Sequence, residues 1–215
     1  MSDGATKDAG ALFGDGLALV RANGQLVVAA WTVMTAIAVA SDLLGQSGLA
    51  LNFAGFIASL VLQYEVTLTA LSQLGLAVRR SKRRLWALFG LSILYGLGVL
   101  VGLILLILPG LYLYVRWSVA VPVLIAEDAG VGDAFARSGE EISGRFWPVA
   151  GTLLLIYLPW VAAFVAAAIF SEPSHFLSSL TFNGLLNMGV IGGWCAAVAI
   201  YADGKGDNRL AEVFA

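Results

Sequence analysis

Two ionisable side chains, Glu65 and Arg116, stand inside long apolar runs of the sequence. A charge at membrane depth is expensive, and it usually pairs with an opposite charge or serves a function. At 1.5 Å per helical residue, Glu65 would lie ~20 Å and Arg116 ~16 Å from the C-terminal ends of their predicted helices. The similar depths predict that the two pair inside a bundle and join one helical hairpin to the next. In the alternative, Arg116 reaches the opposite interface and Glu65 is protonated.

A second candidate site is the basic run from Arg79 to Arg84. Beside a membrane, such a run attracts anionic lipid headgroups at roughly 1 kcal/mol per cation. It also holds its own loop on the cytoplasmic side, and both interpretations stay open. Nucleic acid is not an expected partner, because no soluble domain surrounds the run. The predicted headgroup-binding residues are Arg79, Arg80, Lys82, Arg83 and Arg84.

A third group of polar and aromatic residues lies between two apolar runs, in residues 127–147. These side chains would stand at the membrane interface, where they could cap helices or contact a partner. The sequence does not choose between these roles. The predicted interface residues are Glu127, Phe135, Arg137, Ser138, Arg145 and Trp147.

Residues suited to catalysis or metal binding are scarce. His175 is the only histidine and Cys195 the only cysteine. No cluster of His, Cys, Asp and Glu has the spacing of a metal site, and the Gly-Asp-Gly at residues 14–16 is not a phosphate-binding loop. We therefore expect no enzyme and no cofactor, and we assign no catalytic, metal-binding or cofactor-binding residue.

The elements that carry these residues are apolar helices. Of the 215 residues, 60% are hydrophobic and only 12% are charged, against about 25% charged in a typical soluble domain. A helix needs about 20 apolar residues to cross a bilayer. The chain is therefore predicted to be an all-α polytopic membrane helix bundle, with about six transmembrane helices arranged as three hairpins. The predicted spans are residues 24–44, 53–78, 85–108, 111–126, 146–170 and 179–202.

Two shorter helical patterns, at residues 11–23 and 131–142, predict interfacial amphipathic helices. The first pattern could instead extend the first span. In the second pattern one helical face contains Val131, Ala134, Phe135, Ser138 and Ile142. A helix of this kind would lie along the membrane surface, with that face on the membrane or on the third hairpin.

The remaining boundaries follow from composition and from turn residues. Residues 1–10 are polar and are expected to be disordered, residues 11–202 form a single membrane domain, and residues 203–215 form a tail. Pro109-Gly110 is expected to separate the third and fourth spans. Residues 85–126 either cross the membrane fully or form a re-entrant hairpin.

The lysine and arginine residues fall on one side of the six-span arrangement, eleven against none, with Arg116 inside the membrane. Basic loops are kept on the cytoplasmic side, so both termini are expected to be cytoplasmic. The first ten residues lack the basic start and apolar core of a cleaved signal peptide. The first apolar helix is therefore expected to stay as an anchor.

A weak internal repeat accompanies the hairpins. Arginine, tryptophan and glycine occur at the same offsets in residues 84–90 and 145–151, and Arg21 stands at a similar point before the first span. The repeat suggests three related hairpins, each beginning at a cation. Arginine and tryptophan also recur at membrane boundaries for simpler reasons, since arginine snorkels and tryptophan prefers the interface.

The central stretch has a recognisable pattern of residues, which are Leu108-Pro109-Gly110, Val115-Arg116, Pro122, Glu127, Ala134, Arg137-Ser138 and Gly144-Arg145-Phe146-Trp147. With these residues it resembles the bacterial membrane family often labelled "glycerophosphoryl diester phosphodiesterase membrane domain", with its relatives of the YciC type. Gly139 departs from the family pattern, in which a bulky residue follows the serine. The resemblance implies a multi-span membrane domain without the catalytic phosphodiesterase domain.

These observations favour a non-enzymatic protein of the bacterial cytoplasmic (inner) membrane, with a role as scaffold or accessory subunit of a membrane complex or in membrane homeostasis. Its expected partners are membrane lipids and another membrane protein or a second copy of itself. The alternative is a transporter or channel for a small or lipid-like solute. Intramembrane charges and proline-broken helices favour that alternative.

Overall fold

In the computed structural model, residues 7–76, 82–170 and 176–206 are described, and within them the chain forms nine α-helices and no strand. It is an all-α polytopic helix bundle, as predicted. Five of its apolar helical segments are long enough to cross a membrane, or six if α7 and the start of α8 form one bent span. The helices are α1 Ala9–Ala22, α2 Gly24–Leu44, α3 Leu49–Gln73, α4 Lys82–Leu105, α5 Ile107–Arg116, α6 Ala120–Ala126, α7 Val131–Ile142, α8 Phe146–Phe170 and α9 Phe176–Gly204.

The centre of the bundle is the second half of α9. Its residues from Cys195 to Ala202 are all buried, and the helix contacts α1, α2, α3, α6 and α8. Several of these side chains are alanine, which lets neighbouring backbones come close. Small residues at helix contacts are how membrane helices pack without a hydrophobic driving force between them.

Several predicted helix boundaries are confirmed, and one span is displaced. Helices α2, α7 and α8 have the predicted bounds. Helix α3 begins and ends four to five residues before the predicted span at 53–78. A 3-10 turn at Gly45–Gly48 connects α2 to α3, and the Ser41 hydroxyl donates to the Gly48 carbonyl across it. The connection between α2 and α3 is therefore shorter than the segment 45–52 left between the two predicted spans.

The break in the second hairpin lies at Leu106, so the predicted break at Pro109-Gly110 is wrong. Leu106 is extended, with φ −164° and ψ 140°. Pro109 is the third residue of α5, where a missing backbone N–H costs little because first-turn donors have no helical acceptor. Helix α5 then returns along α4, and a Cβ on Gly102 would stand 2.8 Å from the Gly110 Cα.

The fourth span is two helices rather than one. Helix α5 ends at Arg116 and α6 begins at Ala120. Helix α7 supports the break, because the Ser138 hydroxyl donates to the Arg116 carbonyl over 2.9 Å. Helix α7 also makes an angle of 103° with the start of α8, so it lies across the ends of the spans, as an interfacial helix should.

The first helix is packed into the bundle. Helix α1 begins at Ala9, and the Asp8 side chain caps it by accepting from the Ala11 N–H over 2.8 Å. Part of the stretch predicted to be disordered is therefore helical. The Ala9 carbonyl accepts from Thr152 of α8, and Gly16 lies against Ala196 of α9. Helix α1 thus crosses two spans, with Leu12, Gly16 and Leu19 buried.

Candidate functional site at the polar end of the bundle

One end of the bundle carries a polar contact made by a buried side chain in each hairpin, and we call this the polar end. In each case a residue at the start of the hairpin's first helix bonds to the end of its second helix. We call these contacts polar clamps. Their principal residues are Asn23 with Gln73, Arg84 with Ile125 and Asp128, and Arg145 with Ile200 and Asp203.

In the second hairpin the clamp is Arg84, which is only 4% exposed. Its Nη1 donates to the Ile125 carbonyl over 2.7 Å and its Nε to the Asp128 carboxylate over 2.9 Å. The last carbonyls of a helix have no partner within the helix and carry the negative end of its dipole. A guanidinium with five donors serves both the carbonyl and the carboxylate.

In the third hairpin Arg145 has the same arrangement at 6% exposure. It donates to the Ile200 carbonyl and to the Asp203 carboxylate, each over 2.8 Å. A third bond, from Nε to the Glu141 carbonyl, joins it to α7. In both clamps the aspartate follows the carbonyl residue by three positions, so the two arginines that the repeat made equivalent have equivalent partners.

The first hairpin uses a neutral clamp. The side-chain amides of Asn23 and Gln73 donate to each other, both over 3.0 Å. Arg21, which the repeat placed here, is exposed. In the first hairpin Asn23, and not the cation Arg21, therefore makes the contact at the start of the first helix.

A charge cluster around Glu127 joins the second hairpin to the third. Its carboxylate accepts from Arg137 on α7, and also from the Tyr201 hydroxyl and the Lys205 ammonium over 2.9 Å each. Lys205 also donates to Glu141 over 2.5 Å. Burial alone would raise the pKa of Glu127, but the hydrogen bonds from Lys205, Arg137 and Tyr201 outweigh it and hold that pKa below its ordinary value.

The predicted interface residues divide into an inner and an outer set. Arg145 and Ser138 are buried and hold helix ends, and Glu127 bonds to Arg137. Phe135 is half-buried against Trp117, with ring centroids 4.7 Å apart. Trp147 is 80% exposed, as is its repeat counterpart Trp86 at 76%. These two tryptophans are placed to anchor the bundle at a membrane interface.

The predicted pair of Glu65 with Arg116 is not formed. Among the ion pairs of the described residues none joins these two, and the Arg116 guanidinium bonds to the Tyr112 hydroxyl over 2.5 Å. It also lies on Gly139, where a Cβ would stand 2.8 Å from Arg116 Nε. The long side chain therefore reaches α7 at the polar end, rather than Glu65 or the opposite interface. A bulky residue at position 139 would occupy its place.

The predicted headgroup-binding run is only partly described. Arg79 and Arg80 lie outside the described residues, and for Lys82 and Arg83 only the backbone, at the start of α4, is described. Arg84 does not bind headgroups, because its guanidinium is buried in the clamp. Its position next to four other cations concealed this structural role.

Sequence reasoning missed the acceptor side of the clamps. Asp128 and Asp203 were placed in the polar segments that follow apolar runs, and Gln73 was placed inside the predicted span at 53–78. A usable signal was present, because Ile125 and Ile200 are each followed three residues later by aspartate. A basic residue that begins one helix, together with an aspartate just after a later apolar run, predicts such a contact.

No known protein-family model, curated protein or solved structure matches this chain.

Proposed function

We propose that the chain is a non-enzymatic integral membrane protein that acts as a scaffold or accessory subunit of a membrane complex or in membrane homeostasis. The observation that carries the proposal is the set of three polar clamps. Each one fixes the start of one helix to the end of another at the polar end. A frame held in this way suits a protein that presents a constant surface to its neighbours.

The proposed setting is the bacterial cytoplasmic membrane, with both termini and the polar end on the cytoplasmic side. The distribution of cations supports this orientation. The resemblance of the central stretch to the phosphodiesterase membrane-domain family supports a bacterial source. The basic run, apart from the buried Arg84, would then face anionic headgroups.

The proposed partners are membrane lipids and another membrane protein or a second copy of this chain, and nucleic acid is not among them. The described surface supports this, because the turn between α4 and α5 exposes a contiguous apolar tip. Its side chains, Ile104, Leu105, Leu106, Ile107 and Leu108, are 68–78% exposed. Such a tip requires lipid or an apolar partner around it.

Distance measurements between spin labels test the scaffold proposal. In a Cys195→Ser background, cysteines at Gln25 and Ala136 report on the polar end, and cysteines at Leu49 and Ile107 report on the opposite end. All four positions are exposed. In lipid vesicles a fixed frame gives one narrow distance distribution for each pair.

The second candidate, a transporter or channel, is favoured by the break between α5 and α6, because transporters build binding sites at discontinuous helices. It makes a different prediction for the same labels. Two populations would occur at each end, and opening at one end would accompany closing at the other. That result would contradict the scaffold proposal.

A further inference from the structure

An apolar groove of 450 Å³ runs along the outside of the bundle between α2 and α8, and α9 forms its floor. Each of its fourteen lining residues is aliphatic, aromatic or glycine. Its volume is in the range of about 300–1,000 Å³ that is usual for sites holding a small molecule. The Trp31 indole lines the groove, but its N–H already donates to the Gly184 carbonyl over 2.8 Å. The groove therefore suits a hydrocarbon rather than a polar solute.

The length of the groove matches one leaflet of a membrane. On α2 the groove begins at Val27, four residues after the clamp residue Asn23, and on α8 it ends at Trp160, fifteen residues after the clamp residue Arg145. At 1.5 Å per residue these limits lie ~6 Å and ~22 Å from the polar end. The distance between them is about half of a ~30 Å hydrocarbon core. An acyl chain from the leaflet at the polar end would fit along it.

Helix α1 borders the groove near the polar end. A Cβ on Gly16 would stand 3.3 Å from the Ala196 Cα. Ala196 precedes the clamp residue Ile200 by four positions, so α1 crosses the bundle ~6 Å from the level of the clamp. One face of α1 is turned to the groove, with a residue at each helical turn. The residues on this face are Phe13, Leu17 and Val20.

Arg21 supplies a positive charge at the rim of the groove. It follows the lining residue Leu17 by four positions, which places the two side chains on the same side of α1. Both are exposed, and none of the ion pairs of the described residues includes Arg21. A guanidinium binds phosphate through paired hydrogen bonds. The cation and the groove together match the headgroup and one acyl chain of an anionic phospholipid.

We propose that this groove binds one acyl chain of an anionic phospholipid from the leaflet at the polar end, with Arg21 at the headgroup phosphate. The inference rests on the proposed role of membrane lipids as partners, and it assigns one of them a site. A lipid in this position contacts α1, α2, α8 and α9. It is therefore part of the frame and does not exchange as freely as the surrounding lipid.

Native mass spectrometry of the full chain in a mild detergent tests the site. The protein is mixed with anionic phosphatidylglycerol or with zwitterionic phosphatidylcholine, both with the same acyl chains. We expect the first phosphatidylglycerol to bind about fivefold more tightly than the first phosphatidylcholine, because one cation near the surface contributes about that factor. Arg21→Gln should reduce the preference to less than about twofold, whereas Arg21→Lys should keep most of it.

A second pair of variants tests the groove itself. A Cβ on Gly192 would lie 3.8 Å from Ile156 Cγ2, which is an ordinary contact. Gly192→Leu should therefore fold and fill the groove. We expect it to weaken binding of the first phosphatidylglycerol at least about tenfold, which corresponds to about two methylene groups that are no longer buried. Val28→Phe fills the groove from α2 if Gly192→Leu does not fold.

Gly96→Leu is the matched control for Gly192→Leu. Gly96 is exposed on α4, has open space around it and lies outside the groove. The same substitution at this position should leave the affinity for phosphatidylglycerol unchanged.

Three results would overturn the proposal. Absent binding of phosphatidylglycerol, or equal affinity for the two lipids, would show that Arg21 does not select a headgroup. Equal effects of the groove-filling variant and Gly96→Leu would show that the lipid binds elsewhere. A dimer that the groove-filling variant converts to a monomer, with lipid binding unchanged, would show that a second copy occupies the groove. Each of these results can occur with narrow spin-label distances, so the lipid site can fail while the scaffold proposal stands.

Discussion

At the residue scale, the two arginine clamps share one design but differ in the surroundings of their aspartates. The Asp203 side chain is 11% exposed, whereas that of Asp128 is 61% exposed. A carboxylate that water reaches adds little to stability. One that is withdrawn from water is harder to replace, and without Asp203 the Arg145 guanidinium would keep only a longer contact of 4.0 Å with Glu141. The clamp formed by Arg145 and Asp203 should therefore contribute more to the stability of the fold than the clamp formed by Arg84 and Asp128.

We predict that Asp203→Asn lowers the free energy of unfolding by about 1–3 kcal/mol, because Arg145 loses its buried counter-charge. Asp128→Asn is the matched control and should cost less than about 1 kcal/mol. Asparagine also suits the left-handed backbone at position 128, where φ is 51°. Thermal or denaturant unfolding in a mild detergent measures both variants. A larger loss for Asp128→Asn would contradict the ranking of the two clamps.

At the element scale, the sequence predicted where helices run better than where they break. Helices α2 and α8 were placed correctly because long apolar runs have clear polar limits. The break at Leu106 was not placed, because nothing in a run of leucine and isoleucine marks it locally. It depends on the return of α5 along α4. The direction of Arg116 was missed for a similar reason, since Gly139, which makes room for it, lies on a different helix.

Helix α7 should depend on its inner face. We predict that Phe135→Asp lowers the free energy of unfolding by about 2–4 kcal/mol, because it removes the contact with Trp117 and places a carboxylate there. Glu140→Ala on the exposed face should change stability by less than about 0.5 kcal/mol. Unfolding of both variants in detergent gives the comparison. Equal losses would mean that the face of α7 is wrongly assigned.

At the scale of the whole molecule, the polar clamps place the starts of α2, α4 and α8 at the same end as the finishes of α3, α6 and α9. Each hairpin therefore leaves the polar end and returns to it. The proposed orientation puts this end in the cytoplasm.

Cysteine labelling tests that orientation in intact bacterial cells. In a Cys195→Ser background, an impermeant thiol reagent should label Ser47→Cys, which lies in the 3-10 turn at the opposite end. Ala136→Cys, on the exposed face of α7, should react only after lysis. Labelling of position 136 in intact cells would show that the polar end faces the outside, opposite to the proposed orientation.

The apolar turn between α4 and α5 has a consequence for how the chain enters a membrane. The first hairpin must carry Asp42 across the bilayer, and the connection between α8 and α9 contains Glu172. The second hairpin has no charged residue from Leu85 to Val115. It can partition into the lipid from one side without translocating any charge. Its insertion should therefore depend on the hydrophobicity of its helices and not on the membrane potential.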